Sequence, residues 1–227
     1  PVLDGDQLYF QLLHTNYYLL LRIDGPTGKE VWKHERESDA KDECEHSYAS
    51  PIIYRDDKHA YLISHGCDYV TAHNLADGSE AFRCGELNGT NRPYNKTLRF
   101  VATPVAADGL LVVPSAKGGP VLGLNFDAKG NITGTEAGHV WRRDKDTPDV
   151  PSPIVHDGLV YLCRENGVLI VLDAKTGAEV YMESKEITRE RHRASPVYGD
   201  GKIYLVARKG ITKCVKAGRK FELLSSN

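Results

Sequence analysis

The stretch VLIVLDAKTGAEVY, residues 168–181, has residue types found in phosphate-binding loops. An apolar run ends at Asp173, and a glycine-containing turn follows through Gly177. Such a loop cradles phosphate when it opens a helix and carries the pattern GxxxxGK followed by Ser or Thr. Here Gly177 leads instead into a β-prone run that ends at Tyr181. We therefore expect a hairpin turn, in which glycine accepts a positive φ and the Asp and Thr side chains bond back to the local backbone.

A second stretch holds residue types that bind metals. The segment HERESDAKDECEH, residues 34–46, contains two histidines, one cysteine and several carboxylates, all of which can ligate transition metals. No helical i, i+4 pair or fixed ligand spacing accompanies them, so we expect a solvated rim loop and no metal centre. The basic run Arg189, Arg191, His192 and Arg193 could contact an anionic partner, but a solvated face is the simpler interpretation.

Composition and charge exclude several classes of function. The chain has 227 residues and a hydrophobic fraction of 41%, which is enough for a sizeable core. Its 29 Lys and Arg against 31 Asp and Glu give a net charge of −2, which argues against a dedicated nucleic-acid binder. No apolar run approaches the roughly 18 residues of a transmembrane segment. The five cysteines contain no CxxC pair, so a zinc ribbon or redox motif is not expected.

The turn at 173–177 recurs along the chain. Each of five copies has a proline, an Asp-Gly-type turn, a β-rich run, and a second turn before an aromatic residue. The prolines are Pro1, Pro51, Pro104, Pro153 and Pro196. The aromatic residues are Trp32, Phe82, Trp141, Tyr181 and Phe221. We expect these aromatic side chains to dock between neighbouring sheets.

Between its turns, each copy offers four short strands, at about 152–156, 159–164, 168–173 and 178–183 in the fourth copy. The second and third of these are nearly continuous apolar runs, which indicates strands covered on both faces. Four antiparallel strands repeated every roughly 40–50 residues are typical of a β-propeller. We predict an all-β fold, one β-propeller domain over residues 1–227. Its four-stranded antiparallel blades are expected at about 1–48, 49–100, 101–150, 151–193 and 194–227.

The element Asp-x-x-Thr-Gly-x-x-x-aromatic, with its preceding Ser-Pro strand, resembles the PQQ-type propeller repeat. That family includes quinoprotein alcohol dehydrogenases and the non-enzymatic outer-membrane assembly lipoprotein BamB. Its propellers usually have seven or eight blades. Five copies therefore suggest either a portion of a larger ring or a small closed ring, and we favour a portion excised from a longer chain. WD40 and kelch repeats are disfavoured, because their signatures do not recur with the period.

The resemblance also defines what a quinoprotein would need. PQQ would lie between a tryptophan floor and two adjacent disulfide-linked cysteines, beside a calcium ion and a catalytic aspartate. The chain has no Cys-Cys dipeptide, and its two tryptophans, Trp32 and Trp141, occupy the structural aromatic position. We therefore predict no cofactor. The alternative is part of a quinoprotein-type dehydrogenase that oxidises alcohols or sugars with PQQ and calcium.

Propeller topology predicts where a binding site would lie. The loops between blades share a face with the turns between second and third strands, and binding concentrates on such loops. The polar residues of these turns would converge near the axis, either as a binding site or as solvated turn tips. The candidates are His14, His65, Lys117, Arg164, Glu165 and Arg208, together with Arg193 from the basic run. No catalytic and no metal-ligating residue is assigned.

Two cysteines are candidates for a disulfide. Cys67 and Cys84 are expected at strand ends on either side of the turn at Leu75–Gly78, a register that would bring them together in an oxidising compartment. Cys44 is a competing partner, whereas Cys163 and Cys214 are interpreted as small buried hydrophobes.

These observations favour a non-catalytic scaffold that binds a protein or peptide partner. The family resemblance suggests that it does so through loops or exposed blade edges. It also implies a bacterial protein in an extracytoplasmic setting, periplasmic or secreted. The remaining blades of a longer chain would be further partners.

Overall fold

The computed structural model describes residues 1–15, 17–88, 93–187 and 190–227. These residues form 21 β-strands and one short 3-10 helix, Asp42–Glu45, with no α-helix among them. Twenty of the strands build five four-stranded antiparallel sheets, each in the chain order of its strands. The predicted all-β architecture of five propeller blades is confirmed.

The blades follow one another along the sequence. Blade 1 contains β1 (Val2–Asp4), β2 (Gln7–His14), β3 (Tyr17–Asp24) and β4 (Glu30–Glu35). Blade 2 contains β5 (Ile52–Arg55), β6 (Ala60–Gly66), β7 (Tyr69–Asn74) and β8 (Glu80–Cys84). Blade 3 contains β9 (Val105–Ala107), β10 (Leu110–Pro114), β11 (Val121–Asn125) and, after the two-residue β12 (Gly130–Asn131), β13 (His139–Arg143). Blade 4 contains β14 (Ile154–His156), β15 (Leu159–Cys163), β16 (Leu169–Asp173) and β17 (Glu179–Glu183). Blade 5 contains β18 (Val197–Gly199), β19 (Lys202–Val206), β20 (Thr212–Lys216) and β21 (Leu223–Ser226).

Strand β12 belongs in sequence to blade 3 but pairs with blade 2. It lies in the long insertion between β11 and β13 and runs parallel to β8, with Gly130 opposite Phe82 and Asn131 opposite Arg83. The ladder continues as the Ile132 amide donates to the Arg83 carbonyl at 2.9 Å. The insertion therefore covers the outer edge of blade 2, an edge that would otherwise present unpaired backbone groups.

A chain of hydroxyl hydrogen bonds links four blades at the residue that precedes each proline. The Ser50 amide donates to Thr103 Oγ1 at 3.1 Å, and the Thr103 amide donates to Ser152 Oγ at 2.9 Å. The Ser152 amide in turn donates to Ser195 Oγ at 2.9 Å. Each of these residues stands directly before a proline that starts its blade. The Ser-Pro or Thr-Pro element of the repeat therefore ties each blade to the next.

In every blade, the pairing between the third and fourth strands contains a register shift. It falls between Arg22/Ile23, Ala72/His73, Gly123/Leu124, Val171/Leu172 and Cys214/Val215. The residue opposite the first member of each pair is Trp32, Phe82, Trp141, Tyr181 and Ser225. Such bulges re-aim a side chain, and here they place an aromatic ring in blades 1 to 4.

Phe221 does not occupy the aromatic position of blade 5, which corrects the sequence prediction. The closing hydrogen bond of the last turn runs from the Lys216 amide to the Glu222 carbonyl, whereas in blade 1 it runs from Asp24 to Lys29. The last turn is thus one residue longer, and the register places Ser225 opposite Cys214. Phe221 lies before β21 and packs edge-on against Tyr181, with ring centroids 6.1 Å apart.

Both tryptophans lock a blade onto a turn of the next blade. Trp32 is 8% exposed and donates its indole N–H to the Leu75 carbonyl at 3.0 Å. Its ring lies against Gly78, where a Cβ atom would come within 2.7 Å of it. Trp141 of blade 3 repeats the arrangement against blade 4, since it donates to the Ala174 carbonyl at 2.8 Å and covers Gly177. The recurring turn therefore provides a glycine and a carbonyl group that contact the aromatic ring of the preceding blade.

The apolar cores lie between successive blades. The strands Leu110–Pro114 and Leu159–Cys163 are buried at every position, as their continuous apolar sequences predict. In contrast, the outward faces of blades 1 and 5 carry exposed apolar side chains, among them Leu3 at 66% and Val197 at 60%.

The predicted Cys67–Cys84 disulfide is not formed, because all five cysteines are free thiols. Cys84 lies opposite Val70 in the β7–β8 ladder. Cys67 is three residues earlier, in the β6–β7 turn, where its φ of 52° directs the chain away from that ladder. Its thiol donates to the Glu45 carbonyl at 3.0 Å, whereas Cys84 Sγ lies 3.6 Å from His139 Nε2. The register therefore separates the two sulfurs.

We expect the thiols to be unreactive while the chain is folded. All five are buried, and burial raises the pKa of Cys67, Cys84 and Cys163 to about 12, so little thiolate forms near neutral pH. A disulfide-exchange reagent such as Ellman's should detect less than one thiol in the native protein and five after unfolding without reductant. Three thiols after unfolding would show that one disulfide exists.

Candidate functional site

Four connections from blades 3 and 4 line an open cavity of about 530 Å³. Lys117 and Gly118 come from the β10–β11 turn, and residues 144–149 from the loop between blades 3 and 4. Arg164, Glu165 and Asn166 form the β15–β16 turn, and Arg191 belongs to the loop after blade 4. These connections all lie at the end of the blades where second strands turn into third strands, which is the face that topology predicts for a site.

The lining carries both charges, close together and in opposed pairs. Four carboxylates and three cations line the cavity: Asp144, Asp146, Asp149, Glu165, Lys117, Arg164 and Arg191. Arg164 Nη1 lies 2.7 Å from Asp146 Oδ1, so the blade 4 turn is fastened to the preceding loop. Arg193, just outside the lining, lies 3.1 Å from Glu165. A surface of this kind can bind a ligand that carries both acidic and basic groups.

One carboxyl in the cavity is electrostatically perturbed. Burial raises the pKa of Asp149, and the Glu165 carboxylate beside it raises that pKa further, while Lys117 and Arg193 lower it. Asp149 can therefore offer a hydrogen-bond donor at a pH where an isolated aspartate offers only acceptors.

The structure brings together four of the seven residues predicted for the axial face. Lys117, Arg164 and Glu165 line the cavity, and Arg193 pairs with Glu165. Arg208 lies one connection further along, where its amide donates to the Arg191 carbonyl at 2.8 Å. His14 is exposed at the end of β2, with its ring 4.9 Å from Tyr17, and lies outside the cavity lining.

His65 is misplaced in the sequence prediction. It is fully buried inside β6, edge-on to Phe100 with ring centroids 5.4 Å apart, and so cannot meet a ligand at the surface. Burial, aided by the Arg36 guanidinium, lowers the pKa of its imidazole to about 3. The ring is therefore neutral at physiological pH and serves the core.

The sequence does not single out the aspartates as lining residues, and it indicates Arg191 only as a member of the basic run. The loop between blades 3 and 4 belongs to the interblade loops that the sequence places on this face, but no position in it is singled out. Its alternating charges, Asp144, Lys145 and Asp146, were the available signal. Of the basic run, Arg191 lines the cavity and His192 is buried, with Nδ1 2.9 Å from the Glu190 carbonyl. Arg189 lies outside the described residues.

The segment 34–46 is only partly exposed to solvent, because several of its residues pack against the rest of the protein. His34 is in β4, and Cys44 is completely buried in the 3-10 helix. Glu43 pairs with Arg99 at 2.8 Å and Asp42 with Lys96 at 2.9 Å, so the loop is held against residues 96–99 of the next interblade connection. The expectation that this loop holds no metal centre stays a prediction.

The residues of this chain do not fit a PQQ sandwich. Trp32 and Trp141 are both engaged in interblade packing and donate their N–H groups to backbone carbonyls, so neither presents an open face as a floor. All five cysteines are separate buried thiols. We derive no redox step from this chain.

Comparison with protein families matches this architecture to one of them. Residues 21–220 match the family model described as outer membrane protein assembly factor BamB. The chain belongs to the BamB family. The match spans all five blades, from the third strand of blade 1 to the last turn of blade 5.

Solved structures show how widely the fold of this BamB-family chain is used. BamB from Moraxella catarrhalis aligns with a TM-score of 0.62 and 17% identity, over 92% of this chain and 58% of that one. Quinohemoprotein alcohol dehydrogenase from Comamonas testosteroni aligns with a TM-score of 0.69 and 12% identity, over 100% and 42%. Sqt1 from Saccharomyces cerevisiae aligns with a TM-score of 0.68 and 10% identity, over 97% and 58%. At these identities the likeness shows the fold alone.

This BamB-family chain thus spans 58% of the length of the BamB structure to which it is similar. No curated protein matches it. The described residues contain no helix of the length and apolarity that a membrane span requires.

Proposed function

We propose that this propeller is a non-catalytic scaffold that binds a protein or peptide segment at the cavity between blades 3 and 4. The observation that carries the proposal is the convergence of Lys117 from blade 3 with Arg164 and Glu165 from blade 4 on one cavity of about 530 Å³. A polypeptide offers backbone donors and acceptors together with charged side chains. The mixed lining of this cavity complements all of these groups.

The family supports a scaffold more than an enzyme. The matched model describes an outer membrane protein assembly factor, and we propose that this chain likewise acts in an extracytoplasmic, bacterial setting. The similar dehydrogenase structure keeps a quinoprotein-type activity as the rival function. The buried positions of Trp32 and Trp141 disfavour that rival.

A photo-crosslinking residue at Asn166 should capture one defined partner protein. Asn166 lines the cavity, in the turn at one end of β16, whereas Lys175 follows the other end of the same strand. The same crosslinker at Lys175 is the matched control and should not capture that partner. Mass spectrometry of the crosslinked product would identify the partner and the contacting peptide.

Charge reversal tests whether the lining does the binding. Arg164→Glu should lower the crosslinking yield at Asn166 at least tenfold, because it places a carboxylate beside Asp146. Arg219→Glu is the control, since Arg219 pairs with Asp173 at 2.5 Å at the opposite end of the blade, and it should leave the yield unchanged. Equal losses in both variants would argue against a specific site. Stoichiometric binding of added PQQ and calcium, with dye-linked oxidation of an alcohol, would overturn the scaffold function.

A further inference from the structure

Three potential metal ligands meet at the seam between blades 1 and 2. Strand β4 directs Trp32 and His34 to the same face, towards blade 2. His73 of β7 and Glu80 of β8 are direct cross-strand partners, and both face blade 1. One donor atom from each of His34, His73 and Glu80 can be chosen so that all three lie within 4.8 Å of one another.

His73 is already oriented as metal-binding histidines usually are. It is fully buried, and its Nδ1 lies 3.1 Å from the Gly78 carbonyl, which accepts the Nδ1 proton. The lone pair is therefore on Nε2, where the Thr71 hydroxyl donates to it at 2.9 Å. A backbone carbonyl behind the ring fixes both tautomer and ring direction.

The other two ligands lie close to His73. Glu80 Oε2 lies 4.0 Å from His73 Nε2. Arg83 donates to both Glu80 oxygens, at 2.5 and 2.8 Å, and so orients the carboxylate while leaving each oxygen a further lone pair. The His34 ring stands edge-on to His73, with centroids 4.6 Å apart. His34 and Glu80 are only partly buried, so both can rotate and a fourth position is open to water.

We propose that His34, His73 and Glu80 form a binding site for a divalent transition metal, with zinc as the expected ion. Two imidazoles and one carboxylate are a ligand set that zinc accepts in tetrahedral geometry. Bond lengths of about 2.0–2.2 Å require donor atoms about 3.4 Å apart, a contraction that rotation of His34 and Glu80 provides. The bound ion would cross-link blade 1 to blade 2 beside the hydrogen bond from Trp32 to the Leu75 carbonyl.

Cobalt is the first probe, because four-coordinate Co²⁺ with nitrogen and oxygen ligands absorbs visible light. The full chain, treated with chelator and dialysed, should bind one equivalent of Co²⁺ with a visible band that Zn²⁺ abolishes. Zn²⁺ should also raise the melting temperature in a concentration-dependent way, since it binds the folded state. Absence of a stoichiometric visible band would overturn the proposal.

Substitutions locate the ion. His34→Gln and Glu80→Gln should each weaken binding at least tenfold. His59→Gln is the matched control, because His59 lies between Asp56 at 3.1 Å and Asp127 at 3.6 Å and is the competing place for a metal. Loss of binding in His59→Gln with retention in His34→Gln would overturn the assignment.

Thr71→Val covers the case in which a ligand variant fails to fold. It removes the hydroxyl that occupies the Nε2 lone pair of His73, so binding should become severalfold tighter, an effect that misfolding cannot produce. Unchanged or weaker binding in Thr71→Val would count against His73 as a ligand.

Discussion

Gly177→Ala is expected to lower the free energy of unfolding by about 3 kcal/mol. Gly177 has a φ of 69°, where an L side chain costs about 1–2 kcal/mol. The added Cβ would also come within 2.6 Å of the Trp141 ring. Trp141 cannot retreat easily, since its N–H is bonded to the Ala174 carbonyl, and such overpacking costs about 1–3 kcal/mol. Urea unfolding followed by tryptophan fluorescence measures the loss.

Gly28→Ala is the control that isolates the tryptophan contact. Gly28 occupies the same turn position in blade 1, with a φ of 68°, but among the described residues no atom lies within 4 Å of its built Cβ. The Gly28→Ala variant should therefore lose only the part of the unfolding free energy that comes from backbone strain, about 1–2 kcal/mol. Gly78→Ala, against Trp32, should behave like Gly177→Ala. If Gly28→Ala and Gly177→Ala cost the same, the interblade lock does not hold the blades together as described.

The repeat explains why so much of the fold is predictable. An Asp-x-x-Thr-Gly turn and an aromatic residue at the third position of the strand that follows are local signals, and blades 1 and 4 show them almost unchanged. The register shift between third and fourth strands is not a local signal, because it depends on how many residues the turn holds. The turn after Lys216 holds one extra residue, and the register places Ser225 opposite Cys214, whereas Phe221 falls before β21 begins.

The candidate site was predictable only where it consists of turn tips. Lys117, Arg164 and Glu165 follow strands whose ends are clear from their apolar sequences. The prediction for His65 was wrong because the β6–β7 hairpin turns at Cys67 and Asp68, with φ values of 52° and 65°. These are not the glycines that usually announce such a turn. Strand β6 consequently runs to Gly66 and takes His65 into the core.

The seam between blades 1 and 2 holds several buried polar groups. Arg36 donates to Ser64 Oγ at 3.0 Å and to the Gly66 carbonyl, on either side of His65. Gln11 adds hydrogen bonds to Ser47, Ala49 and His65 across the same seam. The stability of this seam depends on the charge states of its titratable side chains, because a buried polar group that loses its hydrogen-bond partner is costly. Its stability should therefore depend on pH.

His65→Leu is expected to flatten the pH dependence of stability between pH 6.5 and 5. The pKa of His65 is about 3 in the folded chain and 6.5 when the chain unfolds. Above pH 6.5 both states hold the neutral ring, so its contribution is fully present. As the pH falls below 6.5 the unfolded state takes up a proton and the folded state does not. Stability is then lost at up to about 1.4 kcal/mol per pH unit, until the folded ring protonates near pH 3.

The wild-type chain should therefore lose about 2 kcal/mol through His65 between pH 6.5 and 5, and the leucine variant should not. The quantity to measure is the difference in unfolding free energy between the two proteins at each pH, from urea titrations. Taking the difference cancels the shared contribution of His73, whose pKa is also lowered, to about 4. Carboxylates that titrate at lower pH cancel in the same way.

Phe100→Leu provides the packing control, because Phe100 contacts the same imidazole edge-on without titrating. It should destabilise the chain by the same amount at every pH, as a cavity does, while His65→Leu changes the slope. A wild-type slope in His65→Leu would mean that the buried ring is protonated in the folded chain, with an acceptor nearby. The neutral core role assigned to His65 would then be wrong.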